Sequence, residues 1–269
     1  MKKIISVTLS IMMLISLCGS AFAEITSVAG FTAEDVLTWL KENDDAVDSA
    51  NLQVVNGAHR LAEMLVLLAS PNANEEQAAR LNEYLDALSN ARQDTEHVTA
   101  EQSMAVGCIE IVQTLKVLAE QIDANGDHAA NLNSIIDEFA AGDEAAQNAE
   151  GQTVNALYSA VKLTALITGE ISTSQEQLAQ IEAGMSEFAA GDEAATNVRE
   201  QMANGAKWLS KMLGAFVKIQ DASKVEAIEN LASNTEDLVA QSDSPLQLVT
   251  DYLYNGVHTI TILLGVETA

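Results

Sequence analysis

The stretch Glu-Phe-Ala-Ala-Gly-Asp-Glu-Ala-Ala occupies Glu138 to Ala146 and returns letter for letter at Glu187 to Ala195, 49 residues further on. Its neighbours keep the same spacing. Asp45, Asp94, Asp143, Asp192 and Asp243 follow one another at intervals of 49, 49, 49 and 51. Gly57, Gly107, Ala156, Gly205 and Gly256 do so at 50, 49, 49 and 51. A fixed period of about 50 residues marks a repeat architecture, in which each unit covers its apolar face only against a neighbour. Within the quoted stretch, glycine reads as the stop of one helix and aspartate as the N-cap of the next, its carboxylate accepting an orphan backbone N–H.

Around the small-residue column the apolar pattern is helical. Val54, Leu61, Met64, Leu65 and Leu68 in the first copy correspond to Met202, Leu209, Met212, Leu213 and Phe216 in the fourth. Leu253, Ile260, Leu263 and Leu264 follow in the fifth. Such spacings line one face of a long amphipathic helix, here termed the A helix. A glycine inside a helix costs about 1 kcal/mol relative to alanine. Close approach of two helix backbones is the expected compensation, and leucine at Gly205 should overpack that contact.

Shorter B helices are expected between the A helices. Their apolar residues lie seven apart: Leu81 and Leu88, Leu132 and Phe139, Ile181 and Phe188, Leu231 and Leu238. Ser174 with Gln177 and Ser223 with Glu226 fit capping boxes, and Asn74 and Asp127 suit the other two starts. An opening helix over Thr32 to Glu42 completes the set. The expected fold is therefore all-α: ten helices in five pairs, at 31–69, 74–119, 127–168, 174–218 and 223–266, forming a short solenoid or a compact bundle.

Residues 1–23 read as an export signal, with Lys2 and Lys3, an apolar run from Ile4 to Leu17, and an Ala21-Phe22-Ala23 cleavage site. The remainder, 24–269, reads as one helical-repeat domain, secreted or periplasmic. Lipid attachment at Cys18 is disfavoured by Leu17, which stands where a small residue is needed. No later window is apolar enough to span a membrane. Losing the two signal lysines takes the net charge from −26 to −28. Such a surface repels nucleic acid and would attract basic proteins. Without Cys18, Cys108 has no disulfide partner, so the core alone must hold the chain.

Motifs for chemistry are missing. His59, His97, His128 and His258 show no metal-ligand spacing, and no phosphate loop, serine elbow or dinucleotide fingerprint occurs. The segment from Asp123 to Asp127 glances toward a calcium loop, but its glycine comes two places early. Cys108 stands in a column otherwise filled by Ala58, Leu157, Ala206 and Val257, which is a core position. No catalytic residue, cofactor or metal is assigned.

Asn56, Asn155, Asn204 and Asn255 sit beside the small column and are expected to form a ladder between successive A helices. The stretch from Lys207 to Lys218 is basic and amphipathic, resembling a membrane-surface helix if excised. The position two after the small column varies: His59, Ile109, Tyr158, Lys207, His258; Trp208 stands in the next. A constant scaffold with a variable outward column is how repeat proteins present a binding face. His59, Tyr158, Lys207, Trp208 and His258 are therefore the candidate partner-binding residues. The reading is an exported, non-catalytic module for a protein or peptide. Its alternatives are a small-ligand or lipid binder with an apolar pocket between helices, and a membrane-active protein.

Overall fold

The computed structural model describes residues 30–47, 49–122 and 126–267. The export signal and its cleavage site lie outside the described residues, as does most of the segment resembling a calcium loop. The described residues form ten α-helices and no strand. In chain order these are α1 (Ala33–Ala46), α2 (Ala50–Ala69), α3 (Glu75–Gln93), α4 (Ala100–Gln121) and α5 (Gly126–Ala145). They continue as α6 (Ala149–Ile171), α7 (Gln175–Ala194), α8 (Val198–Gln220), α9 (Val225–Val239) and α10 (Pro245–Leu264).

The even-numbered helices carry the A stripe, and its residues are buried throughout, from Val54 and Leu61 in α2 to Leu253 and Ile260 in α10. Each packs on the next: α2 on α4, α4 on α6, α6 on α8, α8 on α10. The series returns to its start, because α10 packs on α2. Each odd-numbered helix lies on the even helix that follows it. An apolar stripe that meets two like neighbours is covered on both sides.

The small-residue column sits where these helices come closest. A β-carbon on Gly107 would stand 2.7 Å from His59 Cδ2 and 2.9 Å from Ala58 Cβ. One on Gly205 would stand 2.9 Å from Leu157 Cβ, and one on Gly57 3.0 Å from Leu253 Cβ. Gly256 is less pressed, meeting the ends of Leu61 and Leu213.

The helix starts differ from the expectation. The A helices are capped by Ser49, Thr99, Asn148, Asn197 and Ser244, each accepting a first-turn backbone N–H. The aspartate column lies before them. Asp45, Asp143 and Asp192 belong to the last turns of α1, α5 and α7, Asp94 follows α3, and Asp243 is in the α9–α10 connection. Gly142 and Gly191 do not end helices, since α5 and α7 continue past them. Among the odd helices, Thr32, Asn74 and Ser174 close capping boxes. Ser223 caps nothing: it lies in a one-turn helix closed by Asp221, and α9 starts from Lys224 without a side-chain cap. Asp127 falls in the first turn of α5. In α9 the inward residues are Ile228 and Thr235, while Leu238 is 58% exposed, so the stripe expected there is rotated about the helix.

The repeated nine residues serve as a dock for the helix that follows. Asn155 Nδ2 donates to the carbonyl of Phe139 at 2.8 Å, and Asn204 Nδ2 to that of Phe188 at 3.0 Å. A β-carbon on Gly142 or Gly191 would lie 2.2 Å from the asparagine Oδ1. Asp143 and Asp192 then accept from Gln152 and Gln201, both at 3.1 Å. Phe139 and Phe188 are buried beneath. The two copies of the stretch share these contacts. In the first copy Asn56 donates to Leu40 O at 2.8 Å, which places Asp44 rather than Asp45 in the equivalent position. Asn56, Asn155 and Asn204 therefore tie α2, α6 and α8 to their own odd partners, and Asn56 also donates to the Tyr254 hydroxyl on α10 at 3.1 Å. Asn255 departs, bonding Thr235 Oγ1 and Ser210 Oγ at 2.5 Å each.

This account makes Gly191→Ala informative. Alanine gains about 1 kcal/mol of helix propensity but expels Asn204 from its carbonyl, losing about 0.5–1.5 kcal/mol for the bond and more for the orphaned group. The expected result is net destabilisation in the parent and stabilisation in an Asn204→Ala background. Urea unfolding of the four proteins measures the coupling, expected to be about 2 kcal/mol, and additivity of the two changes would discard the dock.

Candidate functional site: a basic cleft between the first four helices

Of the five candidate partner-binding residues, two are not outward at all. His59 is 0% exposed and Trp208 7%. The third position after the small column is buried in every copy, whereas the second is buried at His59 and half-buried in the other four. Tyr158 is half-buried, donates through its hydroxyl to Asp192, and meets Phe188 edge-to-face at 4.8 Å. His258 Nδ1 lies 2.9 Å from Glu267 Oε2. Lys207 is half-buried on α8. The five are not gathered into one exposed row. The apolar face of the basic segment in α8 is likewise buried, with Trp208 stacked under Lys211 at 5.2 Å.

His59 instead belongs to a cleft of about 530 Å³ between the end of α1, the first half of α2, the end of α3 and the start of α4. Its walls hold two of the chain's four arginines, Arg60 and Arg92, and no carboxylate among the described lining residues. In a chain with 39 acidic and 13 basic residues, that is an inversion of the prevailing charge. Arg60 is 6% exposed, and its guanidinium lies 5.1 Å from the centre of the Trp39 ring. Behind the wall, Glu63 is 1% exposed and accepts from both arginines, Arg60 Nη1 at Oε2 and Arg92 Nη1 at Oε1, each at 2.6 Å. One carboxylate against two guanidiniums leaves a positive charge uncompensated by this cluster.

Three buried polar atoms of lining residues have no hydrogen-bond partner: Asn56 Oδ1, His59 Nδ1 and Arg60 Nε. His59 Nε2 donates to the Ser103 carbonyl at 2.7 Å, which makes the other ring nitrogen an acceptor. Burial pushes the His59 pKa down to about 3, opposed by the Ser103 carbonyl and reinforced by Arg92 and Arg60, so the ring is neutral at physiological pH. Buried polar groups are ordinarily paired, and three orphans around one concavity are unusual. The remaining wall is apolar, including Val47, Leu52, Val55 and Val98. Leu52 is 43% exposed there, one of two large apolar side chains in the described residues that face solvent.

Cys108 is 1% exposed, and burial pushes its thiol up to about 12. No group of three or more His, Cys, Asp or Glu among the described residues could hold a metal ion. Among those residues no helix is long and apolar enough to cross a membrane. In the sequence, the close spacing of Arg60 and Glu63 was the visible trace of this site. Arg92, which comes from the following helix, gave no such sign.

Set against known protein families, curated proteins and solved structures, the chain matches none.

Proposed function

We propose that this is an exported, non-catalytic helical-repeat protein whose five helix pairs close into a ring, and that it binds a small molecule in the cleft at Arg60 and Arg92. The observation that carries the reading is the Arg60–Glu63–Arg92 cluster at the wall of a cleft, with Arg60 and Glu63 buried and Arg92 half-buried, beside three unpartnered polar atoms. Buried charges are costly and contribute little net stability, so a persistent cluster of them next to an opening is accounted for by use. The even helices spend their apolar faces on each other, which removes the concave row that a peptide-binding solenoid would offer.

The test is recovery of a ligand. The protein would be incubated with a small-molecule extract, desalted and denatured, and the released compounds identified by mass spectrometry. A compound enriched on the parent and lost from Leu52→Trp, which obstructs the mouth of the cleft, is the expected result. If retention is the same for both proteins, the cleft is not the binding site.

A protein or basic peptide as partner is the second reading, favoured by the strongly acidic surface. Its mark would be a partner retained above about 0.15 M salt, where exposed charge attraction is screened, and not held by an equally acidic unrelated protein.

A further inference from the structure

We infer that the cleft takes an amphipathic monocarboxylate, a single carboxylate on a hydrocarbon body; this rests on the ligand-binding reading above. The charge balance sets the first half. Glu63 neutralises one of the two guanidiniums, so a single negative charge completes the cluster, whereas a dianion would leave an excess negative charge inside an already acidic protein. The donor geometry agrees. Each guanidinium carries five N–H donors in a planar fork suited to carboxylate, and Glu63 engages Nη1 alone on each. Arg60 Nε is one of the unpartnered buried atoms. The start of α4, at Thr99 and Ala100, also lines the cleft, and the amino end of a 22-residue helix adds to the preference for an anion.

The rest of the wall sets the second half. Val47, Leu52, Val55 and Val98 offer hydrocarbon, with Leu52 standing partly in solvent at the same concavity. A compact hydrated anion would leave that surface uncovered. An apolar chain would cover it, at about 25 cal/mol for each Å² removed from water.

Trp39, stacked on Arg60, is a built-in reporter, and Trp208 is the chain's other tryptophan. In a Trp208→Phe protein, Trp39 emission would be titrated with sodium octanoate, octanol, octylammonium chloride and inorganic phosphate at constant salt. Octanoate is expected to change the emission saturably, at least tenfold more tightly than octanol, with octylammonium and phosphate silent. Arg92→Gln should weaken octanoate at least tenfold and Arg92→Lys less, with far-ultraviolet circular dichroism reporting that each is folded. Octanol equal to octanoate, or indifference to Arg92→Gln, would overturn the carboxylate while leaving the cleft as a site. Saturable phosphate binding would overturn the amphipathic part. Silence of all four overturns the inference, and the ligand-recovery experiment then judges the cleft itself.

Discussion

Replacing Glu63 by alanine is expected to destabilise the protein by about 3–5 kcal/mol, the range seen when one partner of a buried ion pair is removed. Its carboxylate is the shared acceptor of Arg60 and Arg92. Without it two like charges face each other, and the one on Arg60 is almost fully enclosed. Burial already lowers the Arg60 pKa, with the Glu63 charge as its main opposing influence. For a chain of this size, where each kcal/mol moves the melting midpoint by about 2–4 °C, the drop should reach about 10 °C. A midpoint indistinguishable from that of the parent would show that the cluster is not electrostatically closed.

A companion protein separates structure from use. Changing Arg60, Glu63 and Arg92 together to Met, Leu and Met removes the charges and keeps apolar volume. Such replacements are often neutral or stabilising, so this triple variant should be markedly more stable than Glu63→Ala. It should also fail to bind octanoate. A triple variant as unstable as the single one would mean that the cluster serves the fold, and the case for a ligand would lose its main support.

The helices were legible in the sequence because their signals are local. The periodic stripe of Val54 to Leu68, the Asn74 and Ser174 caps and the scarcity of proline all act within one or two turns. The small column was legible too, since glycine inside a helix needs a reason that propensity does not supply. The aspartate column misled because a carboxylate accepts equally well from a backbone N–H or from the amide of a glutamine on the next helix. The true caps were visible as another polar column, Ser49, Thr99, Asn148, Asn197 and Ser244. Nothing local distinguishes Gly142 as a helix stop from Gly142 as clearance for Asn155. The meeting of α10 with α2, and of Arg92 with Glu63, depends on packing between helices distant in the chain, which no local pattern encodes.

Leucine at Gly205 is expected to cost about 3 kcal/mol, after helix propensity returns about 1 kcal/mol of a larger steric penalty. The β-carbon alone would stand 2.9 Å from Leu157 Cβ and 3.2 Å from Tyr158 Cδ1, and Leu157 is 0% exposed and enclosed. Neither neighbour is the free end of a flexible chain. Leu157 presents its β-carbon, and the Tyr158 ring is pinned by its bond to Asp192 and its packing on Phe188. The additional isobutyl atoms must therefore push α8 from α6, loosening an interface whose two neighbours in the series depend on it. Gly205→Ala should also destabilise, though by less than leucine, because its β-carbon alone meets Leu157 Cβ, which cannot swing aside. Gly169 in α6 provides the opposite sign. Nothing lies within 4 Å of its would-be β-carbon, so alanine there should stabilise by up to about 1 kcal/mol. Thermal unfolding of the three variants measures all of this on one scale. If Gly205→Leu melts with the parent, α8 does not meet α6 closely at Gly205, and their packing has to rest on other residues.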